Sequence, residues 1–202
     1  HFSYCLINSS TNNVEYFNRF VVNDDITNII NTEEILKLNF ASSSVAFTNF
    51  PCALVPNELF LKESSKEILE LTTDVYEIIK SDALTGIDAH LIYTFPTQIS
   101  DIIFTFLPDA KQKAQQTILI EQFNKFDNKD DNAYLHINDN ILNITAFRNS
   151  KLIFNNSFIF ETKIDILYFT LFAFEQLKLN TELVNVKLYG EIIEEDENHQ
   201  LL

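Results

Sequence analysis

Apolar and aromatic residues dominate Phe2 to Ile7 and recur through Val14 to Val22, with the polar stretch Asn8-Ser9-Ser10-Thr11-Asn12-Asn13 between them. That is the pattern of two strands flanking a turn, a hairpin. Ile26, Ile29 and Ile30 then recur at helical spacing, so a helix is predicted from about Asp24 to Leu38, with Asp24 or Asp25 placed to cap its first amides. The strand Val45 to Asn49 closes the unit. The same order returns later in the chain: strands Ile141 to Arg148 and Lys151 to Phe160 meet at Asn149-Ser150, a helical stretch covers Lys163 to Lys178, and Asn185 to Tyr189 follows. Phe17-Asn18-Arg19-Phe20 echoes Phe154-Asn155-Asn156-Ser157-Phe158, and Asp25-Ile26 echoes Asp165-Ile166. Matching positions lie roughly 140 residues apart, far beyond a solenoid period, which implies two related lobes.

Between the copies the pattern is more varied. Ala53-Leu54-Val55 leads through Pro56 into a short turn of helix at Glu58 to Leu61, and Ser64 with Glu67 reads as a capping box for a helix reaching about Leu71. Val75 to Ile79 and Ala89 to Thr94 read as strands, separated by a loop that holds Gly86. Pro96 opens a helix whose Ile99, Ile102, Ile103 and Phe106 share one face and which ends before Pro108. Asp109 to Gln116 is helical or loop, and Thr117 to Phe123 fits strand or helix. The polar, turn-rich segment from Asn124 to Asn132 is the best lobe boundary. It divides the chain into an N-terminal lobe over 1–123, a connector over 124–132 and a C-terminal lobe over 133–202. In the second lobe Ala133 to Ile137 precedes the hairpin as the first strand of a meander. The helix after it is apolar nearly all round, through Ile164, Leu167, Tyr168, Leu171, Phe172, Phe174 and Leu177, so it is expected to be covered on more than one side.

At 202 residues the chain can bury a large core, and its formal charge of -15 repels nucleic acid and anionic membrane surfaces. Cys5 and Cys52 have no paired spacing, which leaves neither a disulfide framework nor a thiolate zinc site, and both read as buried small apolar residues. The longest apolar run, Ile166 to Phe174 interrupted by Thr170, is far short of the ~20 residues a membrane helix needs, and no signal peptide opens the chain. The cytoplasm is the expected compartment. The sequence begins inside a strand pattern, lacks Met and stops soon after the acidic run Glu194-Glu195-Asp196-Glu197, so it reads as a piece incomplete at both termini.

Three antiparallel strands, a helix and a further strand, present twice, resemble the duplicated ribonuclease-H-like units of the actin and sugar-kinase ATPase fold, a mixed α/β (α+β) architecture. The motifs Phe2-Ser3-Tyr4-Cys5-Leu6-Ile7, Thr48 to Phe60, Phe158 to Leu179 with Glu175-Gln176-Leu177, and Leu188-Tyr189-Gly190-Glu191 resemble the Bacteroidetes domain-of-unknown-function family 3822. The resemblance spans nearly the whole chain and implies a bacterial protein of actin-like fold. It further implies a strand ahead of Phe2, with a first phosphate loop upstream of His1, and a last helix beyond the end of the second lobe.

An ATP site in that fold needs glycine-rich turns, because amides wrap phosphates only where no side chain blocks the approach, and carboxylates to hold magnesium. The turn of the second lobe is Asn138-Asp139-Asn140, with a carboxylate and no glycine; Asp139 is more simply a turn residue. Of the paired glycines of an adenosine-binding segment only Gly190 is present. Asp139 and Gly190 are therefore the cofactor-binding candidates. The strands offer Leu135, His136, Ile137, Asn143 and Thr145 where a nuclease would carry a carboxylate cluster, so no metal or catalytic residue is assigned. His90 and His136 read as hydrogen-bonded or surface histidines. The reading is a degenerate ATPase fold without a cofactor, a pseudo-ATPase scaffold with an unknown protein partner. The alternatives are an ATP-binding protein (ATP with Mg) and a structural homodimer subunit using Lys163 to Lys178.

Overall fold

The computed structural model describes residues 1–21 and 26–191. The end of the second predicted strand at Val22, the cap at Asp24 or Asp25 and the acidic run at 194–197 lie outside the described residues.

The hairpin predicted at the start is present as β1 (Phe2–Ile7) and β2 (Val14–Phe20), paired antiparallel with Phe2 opposite Phe20 and Cys5 opposite Phe17. Alternation puts Phe2, Tyr4, Tyr16 and Phe20 on one face, where their rings stack in a ladder 5.8–6.3 Å apart. The opposite alternation exposes Cys5, contrary to the expectation that it is buried. Helix α1 (Ile26–Thr32) is shorter than predicted, because the chain tightens into a 3-10 turn over Glu34–Lys37. Strand β3 (Ser44–Phe47) follows.

β4 (Cys52–Pro56), β5 (Ile78–Ala83) and β6 (Ala89–Phe95) form an antiparallel sheet in the order β4-β6-β5. Between β4 and β5 lie 3-10 turns over Asn57–Leu59 and Lys62–Ser64 and the helix α2 (Ser65–Glu70). The capping box expected at Ser64 is not made: the residue closes the preceding 3-10 turn, and its φ of -93° and ψ of 5° lie outside the extended range of a cap. Strand β5 starts three residues later than predicted, because its pairing partner Phe95 meets Ile78. Pro96 stands just before α3 (Thr97–Phe106), which buries Ile103.

β7 (Lys111–Ala114) is a strand where helix or loop was expected. Its sequence Lys-Gln-Lys-Ala carries no alternating apolar pattern; parallel pairing with β3 and the bond from Ala114 N–H to Asp82 hold it extended. Helix α4 (Gln115–Phe123) follows directly and settles the open assignment of Thr117 to Phe123.

β8 (Asn132–Asn138), β9 (Ile141–Arg148) and β10 (Lys151–Ile159) are the expected meander, with Asn132 already in the ladder. α5 (Lys163–Leu177) then crosses back, and β11 (Asn185–Gly190) pairs parallel to β8, giving the sheet order β10-β9-β8-β11. One face of this sheet packs Leu135, Ile137, Leu142 and Ile144 against Ile166 and Ala173 of α5. Burying each such side chain contributes about 1.5–3 kcal/mol. A capping box of Thr162 and Asp165 starts α5, and the backbone amides of Thr162 and Glu161 hold the Asp165 carboxyl below the usual range. At its other end Arg148 pairs bidentately with Asp131 at 2.9 and 3.1 Å and donates to the last carbonyls, Leu177 and Lys178. Of α5, expected to lie between its own sheet and either the other lobe or a partner, Ile166, Thr170, Ala173 and Phe174 are buried, while Ile164, Tyr168, Leu171 and Phe172 face outward exposed within the chain. The sheet uses only one stripe of the helix.

Candidate functional site

β8 and β11 run parallel, so both deliver their C-terminal ends to one edge of the sheet. Gly190 lies opposite Ile137 there with φ at +93°, and a Cβ on it would strike the Ile137 carbonyl. Only glycine permits this approach. The next residue, Glu191, donates its N–H to that carbonyl at 2.8 Å and accepts the backbone N–H of Asp139 at 2.9 Å through its carboxylate. Asp139 occupies the two-residue turn between β8 and β9 in the left-handed region, with φ at +55°. The two cofactor-binding candidates thus come together at the sheet edge.

Three residues not singled out from the sequence complete the cluster. Arg19 on β2 donates to Asp139 Oδ1 at 2.7 Å and to Glu191 Oε1, and bonding to Glu191 raises its pKa. Asn49, beyond β3 and also left-handed at +61°, donates to Asp139 Oδ2 at 3.4 Å and accepts from Asn138 at 3.5 Å. His1 Nδ1 lies 2.7 Å from Asp139 Oδ1. The one signal available for Arg19 was scarcity. The chain has two arginines, Arg19 and Arg148, and each holds carboxylates from a distant segment, the task a planar guanidinium performs better than lysine.

Chemically, this edge answers its own charges. Both Asp139 oxygens and its backbone N–H have partners within the chain, so the turn does not present a ring of free amides to an anion. Arg19 stands between two carboxylates where a divalent cation would otherwise neutralise them. Among the described residues no group of three or more His, Cys, Asp or Glu side chains is arranged to hold a metal ion.

The sheet face reached from this edge lies under α4 and divides in two. At the helix's C-terminal end Phe123 stacks on Tyr134 at 4.4 Å and contacts Tyr189 at 5.1 Å, with Phe147 edge-on to Tyr134. This half is mainly aromatic, and the Tyr134 hydroxyl in it donates to the buried Asn128 at 2.7 Å. At the N-terminal end Gln116 donates to Asn143 Oδ1 at 3.3 Å, and the Ser157 hydroxyl donates to the same oxygen at 2.6 Å. Asn143 Nδ2 and His136 Nδ1 have no hydrogen-bond partner among the described residues. His136 lies directly opposite Asn143 on β8, and burial holds its pKa below the ordinary 6.5. It is half-buried, and its Nδ1 has no hydrogen-bond partner among the described residues. His90 does fit its reading: it bonds Asn57 at 2.8 Å and stacks on Phe60. Cys52 sits with its thiol enclosed, and burial pushes its pKa up to about 12.

The architecture is an actin-like ATPase fold. A crystal structure of a Bacteroides thetaiotaomicron VPI-5482 protein with that fold and unknown function superposes with a TM-score of 0.88 at 19% identity, covering 98% of this chain and 80% of that one. The chain belongs to the protein family of unknown function DUF3822, whose family model matches residues 1–202. A comparison with curated proteins returns no match.

Proposed function

We propose that the protein is a pseudo-ATPase, an actin-like fold that works as a protein-interaction scaffold without nucleotide chemistry, its two lobes spanning 1–123 and 133–202 about the connector 124–132. The observation that carries this reading is the closed cluster at Asp139: the carboxylate and amide that a nucleotide and its metal would use are bonded to Arg19, Asn49 and Glu191. Gly190 serves the close approach of two backbones, where a Cβ would strike the Ile137 carbonyl. The interaction half of the reading rests on α5, whose Ile164, Tyr168, Leu171 and Phe172 form an exposed apolar row, the kind of surface that protein partners cover. No helix among the described residues is long and apolar enough to cross a membrane. The unpaired thiols Cys5 and Cys52 support a reducing compartment, the cytoplasm.

Calorimetry tests the first half. Magnesium-ATP at millimolar nucleotide is expected to give no saturable binding, which corresponds to less than about 4 kcal/mol. A micromolar dissociation constant abolished by Asp139→Ala would instead establish the ATP-binding alternative, with the cluster as a gate. The row on α5 also favours a second reading, the homodimer. Sedimentation at several concentrations separates the two, because a Tyr168-dependent dimer would assign the row to a second copy.

A further inference from the structure

In the sheet β10-β9-β8-β11 the two terminal strands are finished differently. A free strand edge invites pairing with another chain, and proteins blunt it with bulges and outward charges. β10 is blunted: its register against β9 shifts between Leu152 and Phe154, and it opens on Lys151. β11 stays in register with β8 from Asn185 to Gly190. The amides of Asn185 and Glu191 donate toward β8, to the carbonyls of Asp131 just before it and Ile137 on it, so alternation turns the N–H and C=O groups of Val186 and Leu188 off the sheet. The one cation of β11 does not guard this edge, because the Lys187 ammonium lies over the Phe126 and Tyr134 rings at 5.3 and 5.2 Å.

The first half of the strand adjoins a cavity of about 510 Å³, walled by Asn185, Val186 and Lys187 of β11 and by Asp127, Asp130 and Asn132 of the preceding loop and β8. It lies at the N-terminal ends of the two parallel strands, away from Asp139 and Gly190 at their C-terminal ends. Two carboxylates line it against the single ammonium of Lys187, and the whole chain carries -15, which favours a cationic visitor and disfavours a second copy of this chain. The sequence after β11 carries Glu194-Glu195-Asp196-Glu197, of the same sign as Asp127 and Asp130, and so does not supply that cation. On the opposite face of β11, Leu188 packs into the apolar cluster with α5. A strand laid along the edge thus meets charge on one face and apolar surface on the other. The molecule already uses a lysine-bearing neighbour once: β3, which closes the first copy as β11 closes the second, pairs in parallel with β7, Lys-Gln-Lys-Ala.

We infer that the outer edge of β11 binds an extended segment of a partner protein in which basic and apolar residues alternate, its backbone bonding Val186 and Leu188 and a lysine or arginine entering the cavity at Asp127 and Asp130. Pairing along the edge supplies affinity, and the cavity supplies selectivity. This rests on the scaffold reading and names the class of partner; it uses neither Asp139 and Gly190 nor the row on α5.

The test is an NMR titration of the full chain, labelled on its backbone amides, with a short blocked peptide of alternating lysine and valine. Saturable shifts at the Val186 and Leu188 amides are expected, with affinity about tenfold or more above that of the same peptide carrying glutamate for lysine. A fully N-methylated version keeps the charges, donates no backbone hydrogen bond and should not bind. Val186→Pro removes an outward N–H without touching the ladder to β8 and should abolish the response. Should that variant fail to fold, Asp127→Asn with Asp130→Asn should weaken binding about fivefold or more. No saturable shift, shifts confined to α5, equal binding of the glutamate or N-methylated peptide, or indifference to the Asp variants would overturn the site. Self-association that Val186→Pro removes would assign the edge to a second copy and overturn it as well. Calorimetry with magnesium-ATP decides the pseudo-ATPase reading separately: nucleotide binding would defeat that reading and leave a peptide response standing, whereas no response to either ligand would defeat this edge alone.

Discussion

The two hairpin-helix-strand copies have nearly the same element order and very different burial. In the second, β9 is buried along almost its whole length, because β8 and β10 bond both of its edges while α4 and α5 cover its faces. In the first, β1 alternates half-buried and exposed, pairs with β2 alone among the described strands, and lends no side chain to the main apolar clusters. β3 turns to β7 instead. The companion helices differ in the same way: α5 buries four residues and α1 buries none. Element order is therefore insufficient for a core. A strand bonded on both edges and covered on both faces creates one, and the first hairpin is tied down chiefly by polar contacts, Tyr4 to Glu33 and Arg19 to Asp139 and Glu191.

The largest test of this contrast sets Phe147→Ala on β9 against Phe20→Ala on β2. Phe147 is fully enclosed, so its truncation should destabilise by about 3–5 kcal/mol in urea unfolding. The half-buried Phe20 should cost about 1 kcal/mol, since the truncated site can relax or fill with water. Equal losses would show that the hairpin shares the main cooperative unit.

Arg19→Ala should act more weakly and more locally. Its side chain is 32% exposed and its partners Asp139 and Glu191 are 23% and 40% exposed, which places the joint contribution at about 1 kcal/mol or less. Hydrogen exchange should then speed by up to about fivefold at the β1 and β2 amides while β8 and β9 keep their protection. A uniform loss over all strands would remove the distinction between the copies.

The smallest effect concerns pH. Burial lowers the His136 pKa in the folded protein, so below about 6.5 the unfolded chain takes up this proton more readily than the folded one. The associated stability is complete above that value and is lost as pH falls through it. Between pH 7.5 and 5.5 the wild type should lose a few tenths of a kcal/mol more than His136→Gln, well under the ceiling of about 1.4 kcal/mol per pH unit for one proton. A steeper fall in the variant would place a charged histidine beneath α4.

Legibility followed the kind of interaction involved. The second hairpin was readable to within a residue, because Ile141 to Arg148 and Lys151 to Ile159 carry β-forming residues bounded by the Asn/Asp turns. Strand β7 was not, since Lys111 to Ala114 is extended only through β3 and Asp82. At the candidate site Asp139 and Gly190 drew notice through turn chemistry and glycine scarcity, both local. Arg19, Asn49 and Glu191 did not, because their meaning lies in partners 52 to 172 residues away or contributed by another turn.

By itself the sequence determined the apolar strand segments, the turns that join them, the repeated element order and a resemblance sufficient to name the fold. Those depend on neighbours a few residues apart, where side-chain period and backbone preference act directly. Tertiary structure alone decided which strand edges meet, which stripe of α5 is left exposed, that Arg19 closes the Asp139 turn, and that Asn143 is buried beneath α4 with Gln116 and Ser157 bonded to it. Each of these depends on burial and on distances between remote segments, quantities that exist only once the chain has packed and water has been excluded from some of its polar groups.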